Sequence, residues 1–348
     1  MTRQTALTEA MLADYLRCHG VLRPGEAVVT GAAGDGNINW VRRVRTIDGA
    51  RSWIIKQARP ALERFPQYQA PTERIVFENR YYRTTRHLPG GEVCPDIIAF
   101  DESQRVLILA DLGDVPRLDH ALAQGQDCRE VFRALSTFLG AVHAATRDPA
   151  LAAEFPNDGM RRLHGDHIFA LPFHANEFPL APAVRARAEE IQRDSEIVAI
   201  AAATYRRYLE PRGALLHGDV QAGNVLLAAH GPKLLDAEIA HVGDPAFDVG
   251  TMLAHLVLPA AAVGHVLRVI PAARAAWDAY MRAYDGSDHA HFRDVARYAG
   301  IELMRRTIGA ARVSVVEEPA PALAVIDSAC RLMRSPPDAP EDLKRLAT

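Results

Sequence analysis

The spacing of apolar residues changes once along this chain, near Leu112, and that single change limits the fold more than any other feature. Before it, short apolar runs at residues 27–30, 38–44, 53–56, 97–100 and 106–110 are separated by Gly, Asp and Pro, the pattern of strands joined by turns. A helix is predicted from Thr8, as N-cap, through Met11, Leu12, Tyr15 and Leu16 to Gly20. A second opens at Pro71-Thr72-Glu73, carries Ile75, Val76 and Tyr82, and stops at Leu88-Pro89-Gly90-Gly91. After Leu112-Gly113-Asp114 the apolar residues recur at helical spacing. Asp127 with Glu130 reads as a capping box that opens a helix bearing Val131, Leu135, Phe138, Leu139 and Val142. One strand pair, at 225–227 and 233–235, interrupts the alanine-rich helices that follow. The expectation is an α+β chain in two lobes: a small, mainly antiparallel sheet lobe over residues 1–112 and a mainly helical lobe over 113–348. Pro336, Pro337 and Pro340 predict a loosely held tail after Ser335.

Length and charge narrow the functional classes. A chain of 348 residues suggests about two domains at ~150 residues each. With 40 Lys+Arg against 43 Asp+Glu it lacks the basic excess of a dedicated nucleic-acid binder. Cys18, Cys94, Cys128 and Cys330 are scattered with no CxxC pair, so reduced thiols in a cytosol are expected rather than a zinc cluster or disulfide framework. The first ten residues hold no apolar signal core, and a cytoplasmic location is expected. Residues 249–267 contain no Lys, Arg, Asp or Glu, but His255, Pro259 and His265 interrupt them. Two buried helices with a break are expected there, and no membrane span.

Residues 215–227 carry the chemistry. Asp219 and Asn224 stand five apart in a loop between two apolar runs, preceded by His217-Gly218. The following apolar strand delivers Asp236, with Glu238 two residues on, and in an extended chain both carboxylates face one side. Two hard oxygens so placed can hold Mg²⁺. Phosphoryl transfer needs a base at the acceptor hydroxyl, an amide and carboxylates on the metal, and a lysine on the phosphates. Asp219 is then the base, with Asn224, Asp236 and Glu238 as metal ligands. Asp and Asn also commonly end strands, and a second His-Gly-Asp at His164-Gly165-Asp166 has Leu171 at the fifth position and no Asp-x-Glu strand after it. Only the Asp219 copy has the full context.

Lysine occurs at three positions, Lys56, Lys233 and Lys344, so 37 of the 40 basic residues are arginine. Lysine inside the apolar strand Trp53-Ile54-Ile55-Lys56 therefore suggests a site that needs a compact point charge. Upstream, Gly34, Asp35, Gly36 and Asn37 form a glycine-rich hairpin tip, which by itself needs no role beyond a turn. Its place before Lys56, with Glu78 on the next helix, reproduces the order of phosphate cover, phosphate lysine and lysine-orienting carboxylate. Glu73 on the same helix is an alternative to Glu78. His289 and His291 with Asp288 read as a polar loop, and His143 as a satisfied core histidine. No Ser-His-Asp or Cys-His arrangement for nucleophilic catalysis is evident.

The motifs Gly34-Asp35-Gly36-Asn37-Ile38-Asn39, Ile54-Ile55-Lys56-Gln57-Ala58, Leu216-His217-Gly218-Asp219, Asp236-x-Glu238, Phe247-Asp248-Val249-Gly250 and Arg305-Arg306-Thr307-Ile308-Gly309 together resemble the methylthioribose kinases. These belong to the aminoglycoside phosphotransferase and choline kinase group, which has a protein-kinase-like fold. The resemblance spans about residues 28–312. It implies transfer of the ATP γ-phosphate to a sugar hydroxyl in methionine salvage, with Mg²⁺. It implies a hinge at Leu109-Ala110-Asp111-Leu112 whose Ala110 and Leu112 backbone groups hold adenine. Arg305 and Arg306 would meet the acceptor and the transferring phosphoryl group, and Asp248 would brace the catalytic loop. The family also implies a homodimer. Asn224 stands where these kinases tend to have serine, and Tyr68 where they have a tryptophan in a loop over the substrate. The acceptor thus stays open among methylthioribose, another sugar, an aminoglycoside and an amino alcohol. A nucleotide-binding pseudokinase acting as a partner module is the rival from another class.

Overall fold

The computed structural model describes residues 4–34, 38–61, 69–285 and 292–347. The sheet lobe holds five strands, β1 (Val28–Ala32), β2 (Trp40–Thr46), β3 (Ser52–Gln57), β4 (Ile97–Asp101) and β5 (Val106–Ala110), all antiparallel in the order β1-β2-β3-β5-β4. Successive side chains of a strand point to opposite faces, and β3 shows what this does. Trp53 and Ile55 pack on one face with Leu12 and Leu16 of helix α1 (Leu12–Cys18). Gln57, on that same face, accepts the Leu7 amide. Lys56 points to the other face, against helix α2 (Arg74–Thr85). The sheet is therefore covered on both sides, and a cation is held where a solvated strand face would otherwise be.

The helical lobe is built on α4 (Arg129–Ala145), α8 (Ala246–Ala262), α9 (Ile270–Tyr284), α10 (Phe292–Ile308) and α11 (Pro319–Arg334), with α3 (Leu118–Ala123), α5 (Asp158–Gly165), α6 (Pro182–Arg193) and α7 (Ser195–Tyr208) around them. Leu135, Phe138, Leu139 and Val142 of α4 are buried, as their spacing requires. Two small antiparallel pairs belong to the same lobe: β6 (Ala214–Leu216) with β9 (His241–Gly243), and β7 (Val225–Ala228) with β8 (Gly231–Leu234). The first pair is too short, three residues a strand, to show alternation in sequence.

Four local expectations are corrected. Asp127 accepts the Arg129 amide, while Glu130 turns to Arg133, so no capping box forms. Helix α8 runs through Pro259, and the break falls later, at Gly264 with φ +70°. Pro259 lies in the last turn, where it gives up its own bond to the carbonyl four residues back without ending the helix. The tail is packed: Leu343 and Leu346 are buried in the main core on a 3₁₀ segment, Pro340–Ala347. Asp236 and Glu238 do not lie on extended chain. The strand ends at Leu234, Asp236 takes φ +65°, and a 3₁₀ turn, Ala237–Ile239, follows. Among the described residues no helix is long and apolar enough to cross a membrane.

Candidate active site

Lys56 is the first part of the site to be fixed. Its Nζ lies 2.7 Å from Glu78 Oε2 and 2.5 Å from Asp236 Oδ1, so strand β3, helix α2 and the turn after β8 meet on one ammonium. Burial alone would lower its pKa, but the carboxylates of Asp236, Glu78 and Glu238 outweigh that and hold it above the ordinary lysine value. Three acids around one lysine also repel each other. Burial pushes Glu78 up to about 7 against the pull of Lys56, with Asp236 and Glu238 adding to the rise. Glu73, the alternative partner, lies 3.3 Å from Arg105 instead.

Glu238 joins the lobes. Its Oε2 accepts from Asn39 Nδ2 at 2.7 Å and lies 3.4 Å from Arg74 Nε. Arg74 is fully buried and donates to Asn39 Oδ1 and to the Pro71 and Arg59 carbonyls. Sequence reading missed Arg74, because a charged residue opening a helix normally reads as solvated.

The loop that carries Asp219 hangs between β6 and β7. Gly218 has φ +87°, and a Cβ there would sit 2.7 Å from the Ile239 carbonyl oxygen, so glycine is required. Asp248, at the start of α8, accepts the amides of His217 (2.7 Å) and Gly218 (2.9 Å). His143 sits behind it, 3.4 Å from Asp248 Oδ2 and 3.1 Å from the Tyr280 hydroxyl. Held this way, the loop directs Asp219 inward, where Oδ2 accepts from Gln221 (2.7 Å) and Asn224 (2.8 Å). Oδ1 has no hydrogen-bond partner among the described residues. Burial would raise the Asp219 carboxyl, but His164, Arg305 and Arg306 beside it outweigh burial and hold it below the ordinary aspartate range.

Arg305 and Arg306 are buried, not a solvated face. Arg305 Nη1 reaches both oxygens of Glu302 at 3.2 Å and lies 3.9 Å from Asp219 Oδ1. Arg306 Nε donates to Glu302 Oε1 at 2.6 Å, and His255 Nε2 is 3.4 Å from the same oxygen. Glu302 escaped the sequence reading, although its i,i+3 and i,i+4 spacing to the two arginines is the signal that could have found it. His164, set aside in sequence as a decoy, lies 3.7 Å from Asp219 Oδ1.

The hinge strand ends at Ala110, whose amide donates to the Asp96 carbonyl, and Leu112 follows it half-buried. Gly34 closes β1 with φ +65°. Asp35, Gly36 and Asn37, Tyr68, and Asp288 with His289 and His291 lie outside the described residues.

Comparison with known proteins bears on the family and the fold. Residues 32–290 match the phosphotransferase enzyme family (APH). Methylthioribose kinases of Bacillus cereus (strain AH820) and Bacillus anthracis (strain A0248) are each 26% identical over 345 residues, covering 90% of this chain and 87% of theirs. Among solved structures, Plasmodium vivax ethanolamine kinase superposes with a TM-score of 0.52 at 12% identity, covering 95% of this chain and 91% of that one. A spectinomycin phosphotransferase solved with ADP and spectinomycin gives 0.51 at 10% identity, covering 99% of each chain. These likenesses give the two-lobed, protein-kinase-like fold. With a family match over most of its length, the chain belongs to the phosphotransferase enzyme family and is an ATP-dependent kinase that acts on a hydroxyl.

Proposed function

We propose that this kinase phosphorylates a sugar hydroxyl, that of 5-methylthioribose, with Mg²⁺, in cytoplasmic methionine salvage. The observation that carries the reading is the buried Glu302–Arg305–Arg306 cluster set against the free Oδ1 of Asp219. Its two acids, Asp219 and Glu302, balance its two arginines. A polycationic aminoglycoside or a quaternary amine would call for an excess of carboxylates. The names of the relatives support the same acceptor.

The donor set suits magnesium. Asp236, Glu238 and Asn224 offer hard oxygens, and the crowding of carboxylates around Lys56, which adds to the burial that raises Glu78, is what a divalent cation would relieve. No three acidic, His or Cys side chains among the described residues form a ready-made metal cage, consistent with a cation that shares its shell with phosphate oxygens. When bound, Mg²⁺ would neutralise charge on the phosphates. In this reading the nucleotide lies between the sheet lobe, ending at Leu112, and the helical lobe. Lys56, oriented by Glu78, holds phosphate oxygens. Asp219, with Oδ2 fixed by Gln221 and Asn224, presents Oδ1 to the acceptor hydroxyl and takes its proton. Arg305 faces the charge that develops on the transferring group.

The test is ADP release, coupled to a spectroscopic readout, with Mg-ATP and a panel of methylthioribose, ribose, an aminoglycoside and choline. Methylthioribose should give the highest kcat/KM. Preference for choline or the aminoglycoside would overturn the acceptor, and no acceptor-dependent release with any compound would overturn the reading altogether.

A further inference from the structure

Beside Asp219 lie several buried polar atoms with no hydrogen-bond partner among the described residues: Nδ1 and Nε2 of His164, Nε of Arg305 and Nη2 of Arg306. His164 is the extreme case, since it is 7% exposed and both its ring nitrogens are unused. Leaving a buried polar group unpaired costs about 1–3 kcal/mol, so an imidazole kept in this state needs a reason.

The local structure holds it there. Helix α5 ends at Gly165 and passes into a π-helical turn, Asp166–Ala170, a rare geometry concentrated at functional positions. Gly165 is pressed so closely on Tyr205 and Tyr208 that a Cβ would sit 2.5 Å from one ring and 3.0 Å from the other. The His164 ring stands edge-on to Phe247, 6.3 Å between centroids at 89°. Asp166, by contrast, points outward and accepts from the Tyr205 hydroxyl. Packing therefore fixes the His164 ring without using either nitrogen. Its Nε2 is 3.7 Å from Asp219 Oδ1, too far to hydrogen-bond, so the two atoms are left to meet separate hydroxyls of one acceptor. Burial first, and Arg305 second, push the imidazole down to about 3, so near neutral pH it carries one donor and one acceptor and no charge.

We propose that His164 is an acceptor-binding residue whose Nε2 hydrogen-bonds a hydroxyl next to the one facing Asp219, so that the site selects an uncharged sugar with vicinal hydroxyls. This deepens, and rests on, the sugar-kinase reading above. A hydroxyl satisfies an uncharged imidazole in either direction, whereas an ammonium at this point would also meet Arg305 and Arg306.

The experiment compares wild type with His164→Phe, which keeps the ring contact with Phe247 but has no nitrogen, and His164→Gln, which restores polar atoms. Steady-state constants are measured with methylthioribose, ribose and their 2-deoxy and 3-deoxy analogues, alongside melting temperatures. His164→Phe should raise the acceptor KM about tenfold or more with the KM for ATP within about twofold, and His164→Gln should recover part of the loss. In wild type, one deoxy analogue should lose about tenfold in kcat/KM, and that penalty should vanish in His164→Phe, a coupling that a purely structural histidine would not produce. If His164→Phe does not fold, the deoxy penalty in His164→Gln decides in its place. An unchanged acceptor KM, or a fall in kcat equal for every analogue, overturns the assignment. Wild type that uses ribose but not methylthioribose defeats only the named acceptor, and the ribose series then decides His164. Wild type that uses no hydroxyl compound defeats the kinase reading itself, and His164 with it.

Discussion

Asp219, Glu78 and the arginine pair each make a prediction that one substitution can test. Asp219→Asn should fold and bind Mg-ATP, yet lose about 10²–10⁴ in kcat, the usual worth of general-base assistance. A variant with near wild-type kcat would remove Asp219 from the mechanism. Glu78, raised to about 7, keeps a proton in the native state between its ordinary value of 4.5 and about 7, where the unfolded chain has released it. Its contribution to stability therefore falls as pH rises through that window and levels off above it, a change of order 3 kcal/mol. Urea unfolding at pH 5.5, 6.5 and 8, without nucleotide or divalent cation, should show the decline in wild type and a flatter profile in Glu78→Gln. Equal slopes would mean that Glu78 is ionised throughout. Arg305 reaches both Glu302 oxygens from Nη1 alone, which leaves the other nitrogens of its planar guanidinium, absent in lysine, for the acceptor side. Arg305→Lys or Arg306→Lys should lower kcat/KM for the acceptor at least about tenfold, roughly 1.4 kcal/mol, with the KM for ATP little changed. Wild-type kinetics in both would return the pair to a structural role.

Helix packing decides how steady the Asp219 loop is, and the crossing of α8 with α10 lies next to the aspartate that braces it. At Gly250 a Cβ would lie 2.5 Å from Tyr298 Cβ and 2.7 Å from the Val295 carbonyl oxygen. Neither backbone nor Cβ can swing away, so Gly250→Ala must push the helices apart, at a cost of about 1–3 kcal/mol. Asp248, which holds the His217 and Gly218 amides, is two residues back on the same helix. The variant should accordingly lose both urea midpoint and kcat. An unchanged midpoint would show that α10 accommodates the methyl group freely. The crossing could not be read from sequence, since Gly250 inside an apolar run resembles any small core residue. The stripes on α4 and the strands around Lys56 were legible, because they depend only on side-chain period.

At the level of the whole molecule, the last dozen residues close the helical lobe. Leu343 is fully buried, and Glu341 pairs with Arg274 of α9 at 3.1 Å. Leu343→Ala should cost about 2–5 kcal/mol, as for other buried leucines, and removing residues 336–348 should lower the melting temperature further. A truncated chain with wild-type melting would restore the loosely held tail that its prolines suggest.

Local chemistry by itself determined the two lobes, the strands of the small sheet, the β7–β8 pair, the helical character of the rest, and the order of Lys56, Glu78, Asp219, Asn224 and Asp236 along the chain. These follow from period, turn residues and spacing, which are properties of neighbours in sequence. Tertiary structure alone decided which carboxylate meets Lys56, that Glu238 turns to Asn39 and Arg74, that Arg305 and Arg306 are buried on Glu302, and that the dismissed His164 faces Asp219. Each of those contacts joins residues whose charge or polarity would read as solvated on its own helix or loop. Only the packing of one element against another removes the water and leaves them to satisfy each other.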